Sequence, residues 1–189
     1  EMDGCIKAVH YKRKKGNGLC PVMAFGPETA RRVNEYHKSF PEYSVTPMAG
    51  LKNLASSLGL ADIQVKDESY RFGLNAFKVL GGSYCIGRYI ADRLGVDISE
   101  LPYDKIRDAG VREKLGGLTF VTATDGNHGR GIAWTADRLG QKSVVYMPKG
   151  SSRERLDNIK ALGADAFITE LNYDDAVRLA NEHARTYGW

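Results

Sequence analysis

The sequence predicts an α/β protein built on a parallel sheet, and two observations carry that expectation. From Gly117 onward, short runs of β-forming residues alternate with stretches long enough for helices. Such alternation means parallel strands joined by right-handed helical crossovers. The first of those runs also leads directly into a glycine-rich turn, TDGNHGRG at residues 124–131, the kind of segment that joins a strand to the helix after it.

Taken in order, Pro27 suits the first turn of a helix over 28–37. An extended stretch follows at 43–47, then a short helix over 51–58 ended by Gly59. Residues 63–65 read as a brief strand, followed by the polar run Lys66, Asp67, Glu68 and Ser69. A helix begins near Lys78, passes through Tyr84, Ile86, Tyr89 and Ile90, and closes at Gly95. The charged segment 96–117 holds one or two short helices. Strands are expected at 118–122, at 143–147 before Pro148, and at 166–169. The helices between them run over 129–139, ended by Gly140, and from a cap at Ser151 or Ser152 to Gly163. A final helix covers 174–186. ADRLG occurs at 91–95 and again at 136–140. It reads as two helices stopping in the same way, with a cation in the last turn and a glycine after it, rather than as a duplication.

The composition, 42% apolar and 26% charged over 189 residues, is that of a soluble globular chain. No stretch approaches the roughly 20 apolar residues of a membrane span, so no membrane partner is expected. No apolar signal-peptide core stands near the start, and the first residue, Glu1, is read as a trimmed start. The net charge of +4 equals the four charges of Lys12, Arg13, Lys14 and Lys15. That run precedes Gly16, Asn17 and Gly18 and reads as a solvated turn, not as a nucleic-acid surface. Cys5, Cys20 and Cys85 make an odd count without a CxxC pair. Free thiols in a reducing, cytoplasmic compartment are expected, and no metal site.

Lys78 lies between Phe77 and Val79 in NAFKVLGG. A lysine packed among apolar groups loses part of its preference for the ammonium form, and the neutral amine is the nucleophile that condenses with a carbonyl. An ordinary surface lysine is the alternative. The loop 124–131 stands at the carboxyl end of a strand, where open α/β sheets bind ligands, and a helix start there favours an anion. Its spacing is G-x-x-G-x-G and not the dinucleotide pattern G-x-G-x-x-G, and no acid closes the next strand. Asp125 and Asn127 could each make a local turn or cap, and His128 could be a satisfied structural histidine.

Together, VKDESYRFGLNAFKVLGGSY, TATDGNHGRGIAW, VVYMPKGSSRERLDNIKALGADA and NYDDAVRLANEHARTYGW resemble the fold type II pyridoxal-phosphate (PLP) enzymes. This family includes serine and threonine dehydratases, threonine synthase and the tryptophan synthase β chain. The likeness is greatest to its ammonia-lyases acting on 2,3-diaminopropionate. It is strong over 43–189 and weak over the first 40 residues. The resemblance implies a three-layer open parallel sheet with helices on both faces. It implies that Lys78 forms the Schiff base with the cofactor and later moves the Cα proton. Phe77, Gly126 and Asn127 would line the cofactor, with Asn127 on its phenolic oxygen. Thr124, Asp125 and His128 would bind the substrate, the backbone of 124–128 holding its carboxylate. Dehydratases of this family usually carry a small residue where Asp125 stands. A carboxylate there suits a second ammonium on the substrate and an acid or base for its loss as ammonia.

The same resemblance places the phosphate-binding loop and the pyridine-nitrogen partner far downstream of GNHG, so the chain is expected to be the N-terminal part of an enzyme, incomplete at its C-terminus. Gly81 and Gly82 are no substitute, falling within a helix. On this reading residues 1–81 belong to a large PLP-binding domain, 82–160 form a smaller inserted α/β domain, and 161–189 return toward the large one. Alone, such a chain would bind the cofactor weakly and turn over little. A homodimer acting on a small amino acid is implied. The competing expectations are a serine or threonine dehydratase, a non-catalytic α/β module for a small anion, and a nucleic-acid module on Lys12 to Lys15.

Overall fold

The computed structural model describes residues 25–124 and 126–189. The basic run Lys12 to Lys15, Cys5, Cys20 and Asp125 lie outside the described residues. Helix α1 (Pro27–Lys38) opens with Gly26 as cap and proline in its first turn, as expected. Strand β1 (Met48–Gly50), helix α2 (Lys52–Ser57) and strand β2 (Gln64–Lys66) follow, with β1 and β2 paired antiparallel. Strand β1 was not expected: its three residues are all exposed, so no apolar alternation marks it. Helix α3 (Lys78–Leu94) ends on the left-handed Gly95. Two short helices, α4 (Tyr103–Ile106) and α5 (Ala109–Leu115), occupy the charged segment before the sheet.

The sheet has three parallel strands in the order β3 (Thr119–Ala123), β4 (Lys142–Met147) and β5 (Asp165–Ile168). Helix α6 (Asn127–Arg138) joins β3 to β4, and α7 (Arg153–Lys160) joins β4 to β5. Ser152 caps α7 through its hydroxyl, which accepts from the N–H of Arg155. Helix α8 (Tyr173–Tyr187) follows β5. Neighbouring residues of a strand point to opposite faces, and β4 shows it. Val145 and Met147 meet Ala133 of α6 with Leu156 and Ile159 of α7, whereas Val144 and Tyr146 meet Ala176 and Ala180 of α8. The result is helix, sheet and helix in three layers. Both crossover helices lie on one face, as two successive crossovers of the same hand require.

A larger core lies outside the sheet, between α1, α3 and α6. Phe40, Phe72, Trp134, Val79, Ile86 and Ile90 are buried in it. Helix α3 crosses α6 at very short range. A Cβ on Gly131 would lie 2.9 Å from the Cα of Val79, and one on Gly82 would lie 3.0 Å from Ile132 Cδ1. The two ADRLG segments do end their helices alike, with Gly95 and Gly140 both at positive φ. Against α3 from the other side, His37 is 3% exposed, and its Nε2 lies 3.0 Å from the Leu80 carbonyl and 2.9 Å from Ser83 Oγ. Burial, the largest cause, pulls its pKa down to about 4.

Three outcomes follow for urea unfolding. Alanine is favoured over glycine in a helix by about 1 kcal/mol, and Gly81 of α3 has none of the described residues within 4 Å of its Cβ position, so Gly81→Ala should stabilise by about 0.5–1 kcal/mol. Gly131→Ala gains the same term but drives a methyl into backbone. Overpacking of that kind costs about 1–3 kcal/mol, so net destabilisation is expected. Because folding lowers the His37 pKa, the neutral ring is the stabilised form. Its contribution is full above the unfolded value of about 6.5 and is lost as pH falls toward the folded value. Between pH 7 and 5 the loss is about 2 kcal/mol, and His37→Asn should flatten the stability profile over that window.

Candidate active site

The segment between β2 and α3 delivers Lys78. Asp67 begins it, its carboxylate accepting from the N–H of Ser69 at 3.0 Å. Two short 3-10 turns within Glu68–Gly73 are broken at Arg71 and Phe72. Leu74 and Ala76 are buried, and Phe77 precedes the first helical residue, Lys78. The expected apolar enclosure of the lysine is not what the described residues form. Lys78 is exposed and Phe77 is 61% exposed, because alternate residues of this segment turn inward and these two turn out.

The second segment starts at Thr124, which is 2% exposed. Its N–H donates to the Tyr146 carbonyl at 2.9 Å and extends the sheet. Its Oγ1 accepts from the N–H of Gly126 at 3.0 Å and of Gly129 at 3.3 Å. Thr124 therefore caps α6 from outside the helix, a role the sequence reading did not assign. A hydroxyl residue two places before the first glycine was the available signal. Since its amide is already used, a carboxylate at this loop would meet the N–H groups of the first helical turn instead, those of Asn127 and His128. Helix α6 begins at Asn127, two residues earlier than expected, which puts both residues in that turn.

The glycines of the loop divide into two kinds. Among the described residues a Cβ on Gly126 would meet only Arg155, in ordinary contact at 3.8 Å. Gly129 and Gly131 serve packing. A Cβ on Gly129 would strike Thr124 Cγ2 and Val145, and one on Gly131 the backbone of Val79. The latter contact brings the start of α3 against the start of α6. Half-buried His128 registers the result: burial lowers its pKa first, and the positive charge of Lys78 lowers it further. Lys78 and His128 are thus electrostatic neighbours across the two helix starts.

A largely apolar cavity of about 520 Å³ runs beside β3, lined by Ile86, Tyr89, Phe120, Val177, Trp189 and others. Among the described residues of the loop it reaches only His128, and neither Lys78 nor Asn127 lines it. Asp125 lies outside the described residues, and no cluster of metal-binding side chains occurs among those described. What the two helix starts offer is an exposed amine, first-turn N–H groups and the buried Nε of Arg130, which has no hydrogen-bond partner among the described residues. That donor set suits an anionic aldehyde cofactor and an amino-acid carboxylate.

Residues 40–189 match the family described as pyridoxal-phosphate dependent enzyme. The chain is similar to a diaminopropionate ammonia-lyase of Salmonella typhimurium, 52% identical over 94% of this chain and 44% of that protein. It is 47% identical to the Escherichia coli diaminopropionate ammonia-lyase over 87% of this chain and 40% of that one. The apo crystal structure of the Escherichia coli enzyme superposes with a TM-score of 0.82, covering 87% of this chain and 44% of that one at 47% identity. A second structure of that enzyme, holding an aminoacrylate-PLP azomethine reaction intermediate, gives 0.79 over 87% and 40% at 45% identity. Tomato threonine deaminase, at 21% identity and a TM-score of 0.59, shares the fold. The chain thus spans less than half the length of the curated relatives it matches, and among its described residues no helix is long and apolar enough to cross a membrane. With this architecture and this match over 150 of its 189 residues, the chain belongs to the pyridoxal-phosphate dependent enzymes of fold type II.

Proposed function

We propose that this chain carries the lysine side of an active site for the PLP-dependent α,β-elimination of 2,3-diaminopropionate to pyruvate and ammonia. One observation supports it above the others: the close contact of Gly131 with Val79 sets Lys78 beside the first turn of α6. The similarity to diaminopropionate ammonia-lyases agrees with it. When bound, pyridoxal phosphate supplies the electron sink for the charge left at Cα.

The chain's own residues then have separable tasks. Lys78 Nζ holds the cofactor's carbonyl carbon and, once displaced by the substrate amine, moves the Cα proton. First-turn N–H groups of α6 orient the carboxylate, with Thr124 and His128 flanking it. Phe77, Gly126 and Asn127 line the cofactor, Asn127 reaching its phenolic oxygen. Asp125 offsets the β-ammonium charge and keeps the leaving nitrogen protonated, since a free amide anion is not a viable leaving group. The Cα–H and Cβ–N bonds break, one ammonia leaves, and hydrolysis of the enamine product yields pyruvate and a second ammonia. Lys78 and Asp125 on opposite faces of the substrate would let both enantiomers react.

A serine or threonine dehydratase is the second reading, favoured by the Escherichia coli relative's structure in complex with D-serine. Cytoplasmic location and homodimeric assembly accompany the proposal, as does the division into a large domain up to residue 81, an inserted domain over 82–160 and a return over 161–189. In that division β5 still extends the sheet begun by β3 and β4.

Adding pyridoxal phosphate and then borohydride should fix the cofactor on Lys78, read by peptide mass, with no such adduct in Lys78→Ala. In a full-length enzyme carrying these residues, pyruvate release should be faster from diaminopropionate than from serine. Lys78→Ala should lower it by about 10³-fold or more. Preference for serine would favour the dehydratase. Asp125→Asn should depress turnover of one diaminopropionate enantiomer by about 10²–10⁴-fold more than the other, and equal loss for both would remove the two-base scheme.

A further inference from the structure

Between β2 and Lys78 the backbone adopts two conformations that side chains resist. Phe72 has φ 49° and Asn75 has φ 53°. Asparagine enters the left-handed region readily, but phenylalanine stays there only when its surroundings over-determine it. Two sets of contacts surround this bend. The first is aromatic: the Phe72 ring lies 4.9 Å from that of Trp134, on α6, and 5.9 Å from that of Phe40.

The second set is polar and closed. The Arg71 side chain, 9% exposed, grips Glu68 with both edges of its fork, Nε to Oε2 at 2.8 Å and Nη2 to Oε1 at 2.9 Å. Arg71 Nη2 also donates to Thr46 Oγ1 at 3.1 Å, and Nη1 to the Ser44 carbonyl at 3.3 Å. Thr46 Oγ1 completes the ring by donating to Glu68 Oε1 at 2.6 Å. Lys66 donates to the Thr46 carbonyl. The backbone of Arg71 then continues the connection, its carbonyl accepting from the N–H of Leu74 at 2.9 Å. The side chains of Thr46 and Glu68, with the Ser44 carbonyl, therefore fix Arg71, the residue immediately before the strained Phe72.

A buried ion pair is a weak source of stability compared with apolar packing of the same volume, but a two-pronged arginine contact fixes direction. The position of this ring suits such a directing task, because Lys78 itself is exposed and receives no enclosure from its own neighbours. We propose that Thr46, Glu68 and Arg71 form a clamp that sets the backbone leading to Lys78, making them positioning residues for the reaction of that lysine. The proposal rests on the reading of Lys78 as the reactive lysine.

Thr46→Val removes the hydroxyl while keeping the shape, and Thr46→Ser restores the hydroxyl. The test compares both with the wild-type protein in two ways. Hydrogen exchange of residues 72–78 is read under folding conditions, and so is the initial rate of borohydride-trapped pyridoxal phosphate at Lys78 relative to Lys160. Thermal unfolding is followed alongside. In Thr46→Val, exchange of 72–78 should quicken about tenfold and trapping at Lys78 should slow several-fold. Exchange in the sheet strands should not change, and Thr46→Ser should behave as wild type. Should Thr46→Val fail to fold, Arg71→Lys takes its place, since lysine keeps the charge but loses the fork. Unchanged exchange over 72–78 in a folded variant would overturn the clamp, as would acceleration spread evenly over the whole chain. If the wild type itself gives no selective adduct at Lys78, the cofactor reading fails instead, and the exchange pattern alone decides the clamp.

Discussion

The site depends on how closely two helices can approach. Lys78 and the first turn of α6 are some fifty residues apart in sequence, and each opens a different helix. They become neighbours because α6 presents Gly131 to the backbone of Val79. No side chain larger than hydrogen fits there without pushing the helices apart. The same crossing is continued by Gly82 against Ile132 and is fastened beyond it by Trp134, which packs on Phe40 and Phe72. The electrostatic influence of Lys78 on His128 follows from this packing and needs no direct bond between the two.

Much of this was legible in the sequence. The alternation after Gly117 placed three strands and three helices to within a few residues, because a buried parallel strand must be apolar and a helix needs a stop. The glycines at 95 and 140 marked their helix ends through a conformation that favours them. Strand β1 was not legible, since it pairs through its backbone and buries none of its side chains. Nor was the start of α6: Thr124 supplies the cap from two residues before Gly126, so the usual capping position shows only a glycine.

Within the site, residue types were easier to foresee than their tasks. Glycine in a ligand loop suggests room for a ligand, yet Gly126 alone of the three would place a Cβ in ordinary contact among the described residues, against Arg155, while Gly129 and Gly131 are required by protein atoms. The lysine was expected among apolar neighbours because Phe77 and Val79 flank it, but only Val79 turns inward. Helical and extended geometry decide which of two adjacent apolar residues is buried, and a sequence at a junction of the two does not declare which geometry applies.

The positions of the three connecting helices have a further meaning. Helices α6 and α7 wind the chain in one sense along one face from β3 to β5, while α8 leaves on the opposite face and packs back across β3 and β4. The connections that follow β4 and β5 therefore leave the sheet on opposite faces. Where connections depart to opposite sides of a sheet, they part from each other and open a crevice at the carboxyl ends of the strands. Thr124, Gly126 and Asn127 follow the carboxyl end of β3, the strand next to β4. Their place at the carboxyl end of the sheet is a product of chain topology, so substitutions in the loop change its chemistry without moving it.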